Sequence, residues 1–376
     1  MSETNGKRHA LSNELDFYKQ ISDVLAEARQ FAKRQLDCTI VATYYEIGRM
    51  IVEREQQGQK RAQYGVKLIR GLSEYLTGQY GRGFSVVNLQ SIRKFYQVYA
   101  PSIQQTVSVK FENAQLPITA LDVTTQKGQS PSAQCNLSWS HYQILMRIED
   151  KPARRFYEIE TVSQQWSVRQ LQRQTGSSLY ERLALSRDKD KVRALAHEGQ
   201  VMQNPRDIFK SPYVLEFTGL EERPEYSETE LEQALINNLQ TFLLELGKGF
   251  LFEARQKRFS FDEKSFYVDL VFYNRLLQCY VLIDLKVAEL KHQDLGQMLM
   301  YVNYFDRYVR QEQEKPTIGI LLCSQKNDSI VELTLPENAN IYASAYSLYL
   351  PDKALLRRKL AEWTAEFEEV HGGDCK

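Results

Sequence analysis

Three ionisable residues stand inside runs that otherwise read as buried strands. Asp269 interrupts Phe266-Tyr267-Val268-Asp269-Leu270-Val271-Phe272, and Asp284 and Lys286 interrupt Val281-Leu282-Ile283-Asp284-Leu285-Lys286-Val287. A lone charge among such neighbours is costly, so each needs a partner or a metal ion. Side chains alternate along a strand, which puts Asp284 and Lys286 on one face. A short turn over residues 274–277 would pair the two runs and bring Asp269 beside Asp284. Adjacent carboxylates raise each other's pKa unless a divalent cation lies between them. Mg²⁺ suits such a pair, being a hard ion that takes oxygen ligands and keeps waters for a phosphate substrate. Lys286 could then orient or activate an attacking water and steady charge on the phosphate. The chemistry these parts serve is phosphodiester hydrolysis. A plain Asp–Lys ion pair, or charges facing solvent on edge strands, is the competing reading.

These runs need elements to hold them. Residues 228–246 read as a helix with Leu231, Leu235, Leu239, Phe242 and Leu246 on one face, ended by Gly247 and Gly249. Strand patterns follow at 250–259, 265–273 and 278–286. A helix over 293–308, a strand over 317–323, a short strand at 341–344 and a helix from 353 to about 370 complete the chain. Helix, three strands, helix, strand predicts an α/β core in which a meander meets a crossover helix.

The front of the chain has a different rhythm. Residues 1–12 read as a disordered start. Helical spacing covers 13–57, 61–76 and 86–99, the last with Ser85 as N-cap and Pro101 as its stop. Residues 102–136 are rich in Gln, Ser, Thr and Pro and read as a variable insertion or linker. Helical patterns resume at 139–148, 151–163 and 167–183. The last carries Arg169, Arg173 and Arg182, which fits a helix-turn-helix or winged-helix arrangement; a plain helical bundle with a solvated basic face fits equally. A second linker, with Pro205, Pro212 and Pro224, spans 204–227. The expected fold is α+β with two domains: a mostly helical N-terminal domain over 13–203 that binds nucleic acid, and an α/β domain over 228–376.

Charge supports that division of labour. The 376 residues carry no formal net charge, but residues 1–210 hold 30 Lys+Arg against 21 Asp+Glu, and residues 211–376 hold 18 against 27. A basic front half suits a polyanion and an acidic rear half suits metal ions. The five cysteines form no CxxC pair, so neither a zinc site nor a disulfide framework is indicated; Cys279 and Cys323 lie in apolar runs as core thiols. No signal-peptide run or stretch of 18 apolar residues occurs, so a cytoplasmic protein without membrane attachment is expected. There is no Gly-x-x-x-x-Gly-Lys-(Ser/Thr) loop, so no nucleotide cofactor is expected, and no Gly-x-Ser-x-Gly elbow.

An acid in one strand, (Asp/Glu)-x-Lys in the next and a helix bearing Gln resembles the PD-(D/E)XK nuclease superfamily. More closely, Leu244-Glu245-Leu246-Gly247-Lys248-Gly249-Phe250, Arg255-Gln256, Val268-Asp269-Leu270-Val271-Phe272-Tyr273, Asp284-Leu285-Lys286 and Gly296-Gln297-Met298-Leu299-Met300-Tyr301 resemble the YhcG-like nucleases. Tyr45-Glu46-Ile47-Gly48, Gly83-Phe84-Ser85, Trp139-Ser140-His141-Tyr142 and Phe156-Tyr157-Glu158 are similar to that family's N-terminal domain. The resemblance implies a restriction-endonuclease-like (αβββαβ) C-terminal domain. It implies metal ligands at Asp269 and Asp284, Lys286 as the catalytic lysine and Gln297 as a supporting glutamine. It also implies Glu232 as a further metal ligand, with Glu228 and Glu230 as nearby alternatives. Relatives commonly have Glu-Leu-Lys at 284–286; Asp284 is one methylene shorter, which could shift the metal.

The function expected is a Mg²⁺-dependent DNA endonuclease, with Mn²⁺ able to substitute. The alternative is a nuclease-fold module of weak or no activity that binds DNA or a partner. RNA or a branched junction is a further candidate substrate, and cutting two strands would favour a homodimer. Arg154, Arg155, Arg169 and Arg173 are candidates for phosphate contacts, against a merely solvated basic surface. His141 reads as structural, and His292 as a weaker phosphate candidate. Phe95, Tyr96, Phe156, Tyr157 and Trp166 could stack on bases, but their helical spacing favours core.

Overall fold

A computed structural model describes residues 3–57, 62–107, 137–185, 189–208, 210, 212–220, 226–336 and 339–360. The chain divides into two units between Glu149 and Asp150. Among the described residues no helix is long and apolar enough to cross a membrane.

The first unit is helical. α1 (Glu3–Gln57), α2 (Ala62–Tyr80), α3 (Val86–Val107) and α4 (Trp139–Leu145) meet around Ile51, Ile69, Leu89 and Ile92. Gly48 lets α1 and α3 cross closely, since a Cβ there would lie 2.5 Å from the Ile92 carbonyl oxygen. Trp139 Nε1 donates to Asn88 Oδ1 at 3.1 Å and so ties α4 to α3. Two expectations shift. The polar start is helical from Glu3, and α3 runs through Pro101 to Val107 despite the donor that proline removes from the ladder. The rest of the predicted insertion, 108–136, lies outside the described residues.

The second unit opens with α5 (Lys151–Ser163), α6 (Val168–Gly176), α7 (Leu179–Leu185) and α8 (Lys189–Glu198). The predicted helix over 167–183 is two helices, broken where Ser178 takes a left-handed φ of 52°. Among the described residues no strand precedes Tyr213, so the hairpin that defines a winged helix is not found there. These helices fall in one compact unit with the sheet, which begins at Asp150, whereas the boundary expected from the sequence is at 203/204. The cause is ionic. Glu245, fully buried, is met by Arg182 at 2.6 Å and Arg173 at 3.2 Å, and accepts the Val214 N–H at 3.0 Å. Burial alone would raise the Glu245 pKa, but Arg182, Lys210 and Arg173 outweigh it and hold the carboxyl down to about 2. Lys248 meets the equally buried Glu160 at 2.8 Å. Removing one member of such a set strands the other charge, so Glu245→Ala or Arg182→Ala should cost about 3–5 kcal/mol by urea unfolding. A loss under about 1 kcal/mol would refute this account of the boundary.

The sheet has six strands in the order β1-β6-β5-β4-β3-β2. β1 (Tyr213–Val214) is followed by α9 (Glu228–Asn237) and α10 (Leu239–Leu246). β2 (Phe250–Phe261), β3 (Lys264–Asn274) and β4 (Cys279–Glu289) then run antiparallel. α11 (His292–Tyr308) crosses to β5 (Ile318–Gln325), which lies parallel to β4; α12 (Asp328–Thr334) and β6 (Ile341–Ser347) follow. The predicted order of helix, three strands, helix and strand is present. Residues 204–227 are no plain linker, because Tyr213, Val214 and Leu215 are fully buried and β1 pairs with β6. The helix expected over 228–246 breaks at Asn238, whose side chain donates back to the Ala234 carbonyl at 3.0 Å. Leu231, Leu235, Phe242 and Leu246 pack on one face of the sheet, and Leu295, Met298, Tyr301 and Phe305 of α11 on the other. Gly319 of β5 brings α11 close, since a Cβ there would lie 2.6 Å from Met298.

Candidate active site

The β3–β4 register pairs Leu270 with Ile283, and one step further sets Asp269 opposite Asp284. Both lie on the sheet face shared with Val271 and Leu282, which pack towards α11. Asp284 is buried and Asp269 half-buried. Lys286, two residues on, reaches Asp284 Oδ2 at 2.9 Å and Glu228 of α9 at 3.5 Å. The turn after Asn274 makes this meeting possible, as the alternation of the two runs predicts.

Each group is held. Asp269 Oδ2 accepts the Leu285 N–H at 2.9 Å, and Oδ1 accepts Gln256 Nε2 at 3.0 Å. Burial pushes the Asp284 carboxyl from 3.8 up to about 7, Asp269 adds to the rise and Lys286 opposes it. Burial works against the Lys286 ammonium, but Asp284, Glu228 and Asp269 outweigh it and raise its pKa. A carboxylate pair this strained by like charge suits a cation. Asp284 Oδ2 is fully enclosed and, although the Lys286 ammonium is close, accepts no hydrogen bond of good geometry. Two hard oxygen donors, one of them with this unmet valence, fit a hard divalent cation whose remaining positions stay open.

Glu232 is the acid of its helix that turns inward: it is buried, Glu230 is exposed and Glu228 faces Lys286. Its carboxylate is one hydrogen-bonded link from Asp269, since Gln256 Nε2 donates to both. Arg255 pairs with it, and Gln256 donates to its Oε2 at 2.6 Å. Among the described residues no cluster of three or more His, Cys, Asp or Glu is placed to hold a metal. Gln297 lies on α11, with its amide donating to the Tyr301 hydroxyl. Burial raises the Tyr301 pKa, and Asp284 and Asp269 add to the rise, so this pair faces the carboxylates.

Gln256 and Tyr301 gained no role from the sequence. A bulge between Phe252 and Ala254 shifts the β2 register by one residue, and this brings Gln256 against Asp269. Gln256 also holds a left-handed φ of 46°, which costs about 1 kcal/mol for a residue with a Cβ. Strain kept beside a carboxylate pair makes Gln256 a candidate positioning residue. Gln256→Gly should relieve the backbone and keep or raise the melting temperature, yet lower kcat about tenfold with KM unchanged. A fall in stability with unaltered kcat would remove the role.

The candidate phosphate-binding arginines separate. Arg173 is not one: its donors are taken by Glu216, Glu245 and the Val214 carbonyl. Arg155 and Arg169 are exposed and Arg154 half-buried. His141 is bonded to Ser138 at the start of α4, the structural reading, and His292 is exposed at the start of α11. Phe95, Phe156, Tyr157 and Trp166 are buried and Tyr96 half-buried, which is the core reading.

Residues 206–361 match the model of the YhcG PDDEXK nuclease domain, and residues 20–182 match the DUF1016 N-terminal domain. The chain is 40% identical over 361 residues to "Putative nuclease YhcG" of Escherichia coli strain K12, covering 94% of this chain and 96% of that protein. Two solved structures overlap it partially. One is a repair endonuclease from Pyrococcus abyssi, at 20% identity and TM-score 0.23, over 35% of this chain and 50% of that one. The other is the EndoMS complex with double-stranded DNA, at 17% and 0.25, over 36% and 51%. The chain spans about half the length of either structure it matches.

Proposed function

We propose that this chain, which belongs to the YhcG family of PD-(D/E)XK nuclease-like proteins, hydrolyses phosphodiester bonds in DNA as a Mg²⁺-dependent endonuclease in the cytoplasm. The observation that carries the reading is the convergence of Asp269, Asp284 and Lys286 around an enclosed carboxylate oxygen that lacks a good hydrogen bond. Asp269 and Asp284 would hold the ion, and Mn²⁺ would serve in its place. When bound, the ion supplies Lewis acidity and a water of lowered pKa.

The chain's own residues do the rest. Leu285 N–H and Gln256 fix the rotamer of Asp269. Lys286, kept protonated by Asp284 and Glu228, donates towards the scissile phosphate and steadies the charge that grows on it. Gln297, anchored on the Tyr301 hydroxyl, orients the phosphate or the water. Glu232 acts through Arg255 and Gln256 and not as a ligand. Arg154, Arg155 and Arg169 contact backbone phosphates without reading sequence.

The deciding experiment is a cleavage panel of linear, nicked, branched and single-stranded DNA, and RNA, with and without Mg²⁺. Cutting of a DNA substrate only with the metal supports the reading; no Mg²⁺-dependent cutting of any substrate overturns it. A second reading, a nuclease-fold module that binds DNA without cutting, draws on one observation: Glu232 is already paired with Arg255 and Gln256, which leaves two carboxylates, one of them the shorter Asp284. On that reading calorimetry shows no Mg²⁺ binding, and Asp269→Asn leaves DNA affinity unchanged.

A further inference from the structure

Every residue from 16 to 36 of α1 is exposed, yet this stretch is not polar throughout. Phe17, Tyr18, Ile21, Val24, Leu25 and Phe31 are each 45–65% exposed. Positions 17, 21, 24, 28, 31, 35, 38 and 42 alternate spacings of four and three, the heptad rhythm of a helix seam. At about 100° per residue this seam centres roughly 110–170° around α1 from Val41, Gly48 and Ile51, which pack in the helical bundle. Among the described residues the bundle therefore accounts for one apolar face of α1 and leaves a second.

The seam is complementary to its own reverse. Run antiparallel to itself, it sets Phe17 against Ala42, Ile21 against Cys38, Val24 against Gln35 and Phe31 against Ala28 of the second copy. Large meets small in most layers, which is how facing helices fill space. The same register sets Glu27 beside Arg34 of the second copy, twice, by two-fold symmetry. A parallel pair in register stacks Phe31 on itself and Gln35 on itself, and leaves Glu27 opposite Ala32. Phe17, Tyr18 and Phe31 are 57–65% exposed, so each has somewhat over half of its roughly 150–250 Å² left to bury. Two copies with their aliphatic neighbours reach the roughly 1,200 Å² at which stable interfaces begin.

We propose that residues 17–42 of α1 join two copies of this chain as an antiparallel coiled coil. The pairing rests on the helical unit and holds whether or not the site cuts DNA; if it does, one particle carries two active sites.

Sedimentation of the full chain over a wide concentration range tests this. The expected result is twice the 43.8 kDa mass of the chain, with monomer on dilution. Phe31→Asp, on an exposed position, should abolish the dimer with unchanged circular dichroism. Glu27→Arg and Arg34→Glu should each weaken association about tenfold at low salt, and the two together should restore it. A monomer at every concentration would overturn the proposal, as would a dimer indifferent to Phe31→Asp. If the double reversal associates no better than either single one, the antiparallel register is wrong. If Phe31→Asp lowers stability while the mass stays that of a monomer, the stripe is covered from within the same chain and the proposal fails.

Discussion

Lys286→Ala should lower kcat for DNA cleavage by about 10²–10³-fold while leaving DNA affinity nearly unchanged, because the lysine acts on charge that develops in the transition state. Its ammonium is also the nearest positive group to Asp284, at 2.9 Å. Removing it leaves Asp269 and Asp284 with no neighbouring cation against their mutual repulsion and raises the Asp284 pKa further. The variant's residual activity should therefore appear at higher pH than that of the wild type, because both carboxylates must ionise to accept Mg²⁺. Single-turnover rates across pH, with binding measured separately in Ca²⁺ or EDTA, read both effects. Cleavage equal to wild type would end the assignment of Lys286. A uniform loss without a shift in the acid limb would keep its catalytic role and remove the electrostatic one.

Asp284→Asn should change how stability depends on pH in the absence of metal. The Asp284 carboxyl is raised from 3.8 to about 7, first by burial and then by Asp269. In the fold it keeps a proton that the unfolded chain has already released. Its contribution to stability is thus complete below about pH 4 and is lost as pH rises through about 7. Asparagine does not titrate, so the variant should gain on wild type by about 1 kcal/mol between about pH 6 and 8. The difference between the two proteins is the useful quantity, because Lys210 titrates in the same window with the opposite sign. Burial holds its ammonium down to about 7 against the pull of Glu245, so the fold releases a proton that the unfolded chain keeps, and stability rises with pH. Urea unfolding in EDTA at two pH values gives the difference. Mg²⁺ at about 100 times its Kd should then stabilise the wild type by about 2.7 kcal/mol and the variant by much less. A pH-independent difference, or equal stabilisation of both proteins by Mg²⁺, would count against a metal at this carboxylate.

The two largest expected effects fall on residues that were visible in the sequence, and the reason is local. Strand alternation fixes Asp284 and Lys286 on one face with no tertiary information, and a short turn makes the β3–β4 register close to obligatory. The order of helix, three strands, helix and strand follows from the same periodicities. Glu228, Glu230 and Glu232 stayed alternatives in the sequence; burial of Glu232 and the reach of Glu228 to Lys286 separate them only in the fold.

What the tertiary structure decided lies where distant segments meet. That Glu232 is held by Arg255 and Gln256 depends on a bulge in β2, an extra residue with no signature in composition. Arg173, basic and on a helix, reads as a phosphate contact until Glu216 and Glu245, 43 and 72 residues away in sequence, take its donors. β1 is two residues long, too short for periodicity to show, and exists because β6 offers it a parallel edge. The sequence alone singled out the groups proposed to do the chemistry, through alternation and the cost of burying charge. Only the packed structure decided which of the other charged residues serve that chemistry and which hold the fold together, because the choice depends on the partners a buried charge finds.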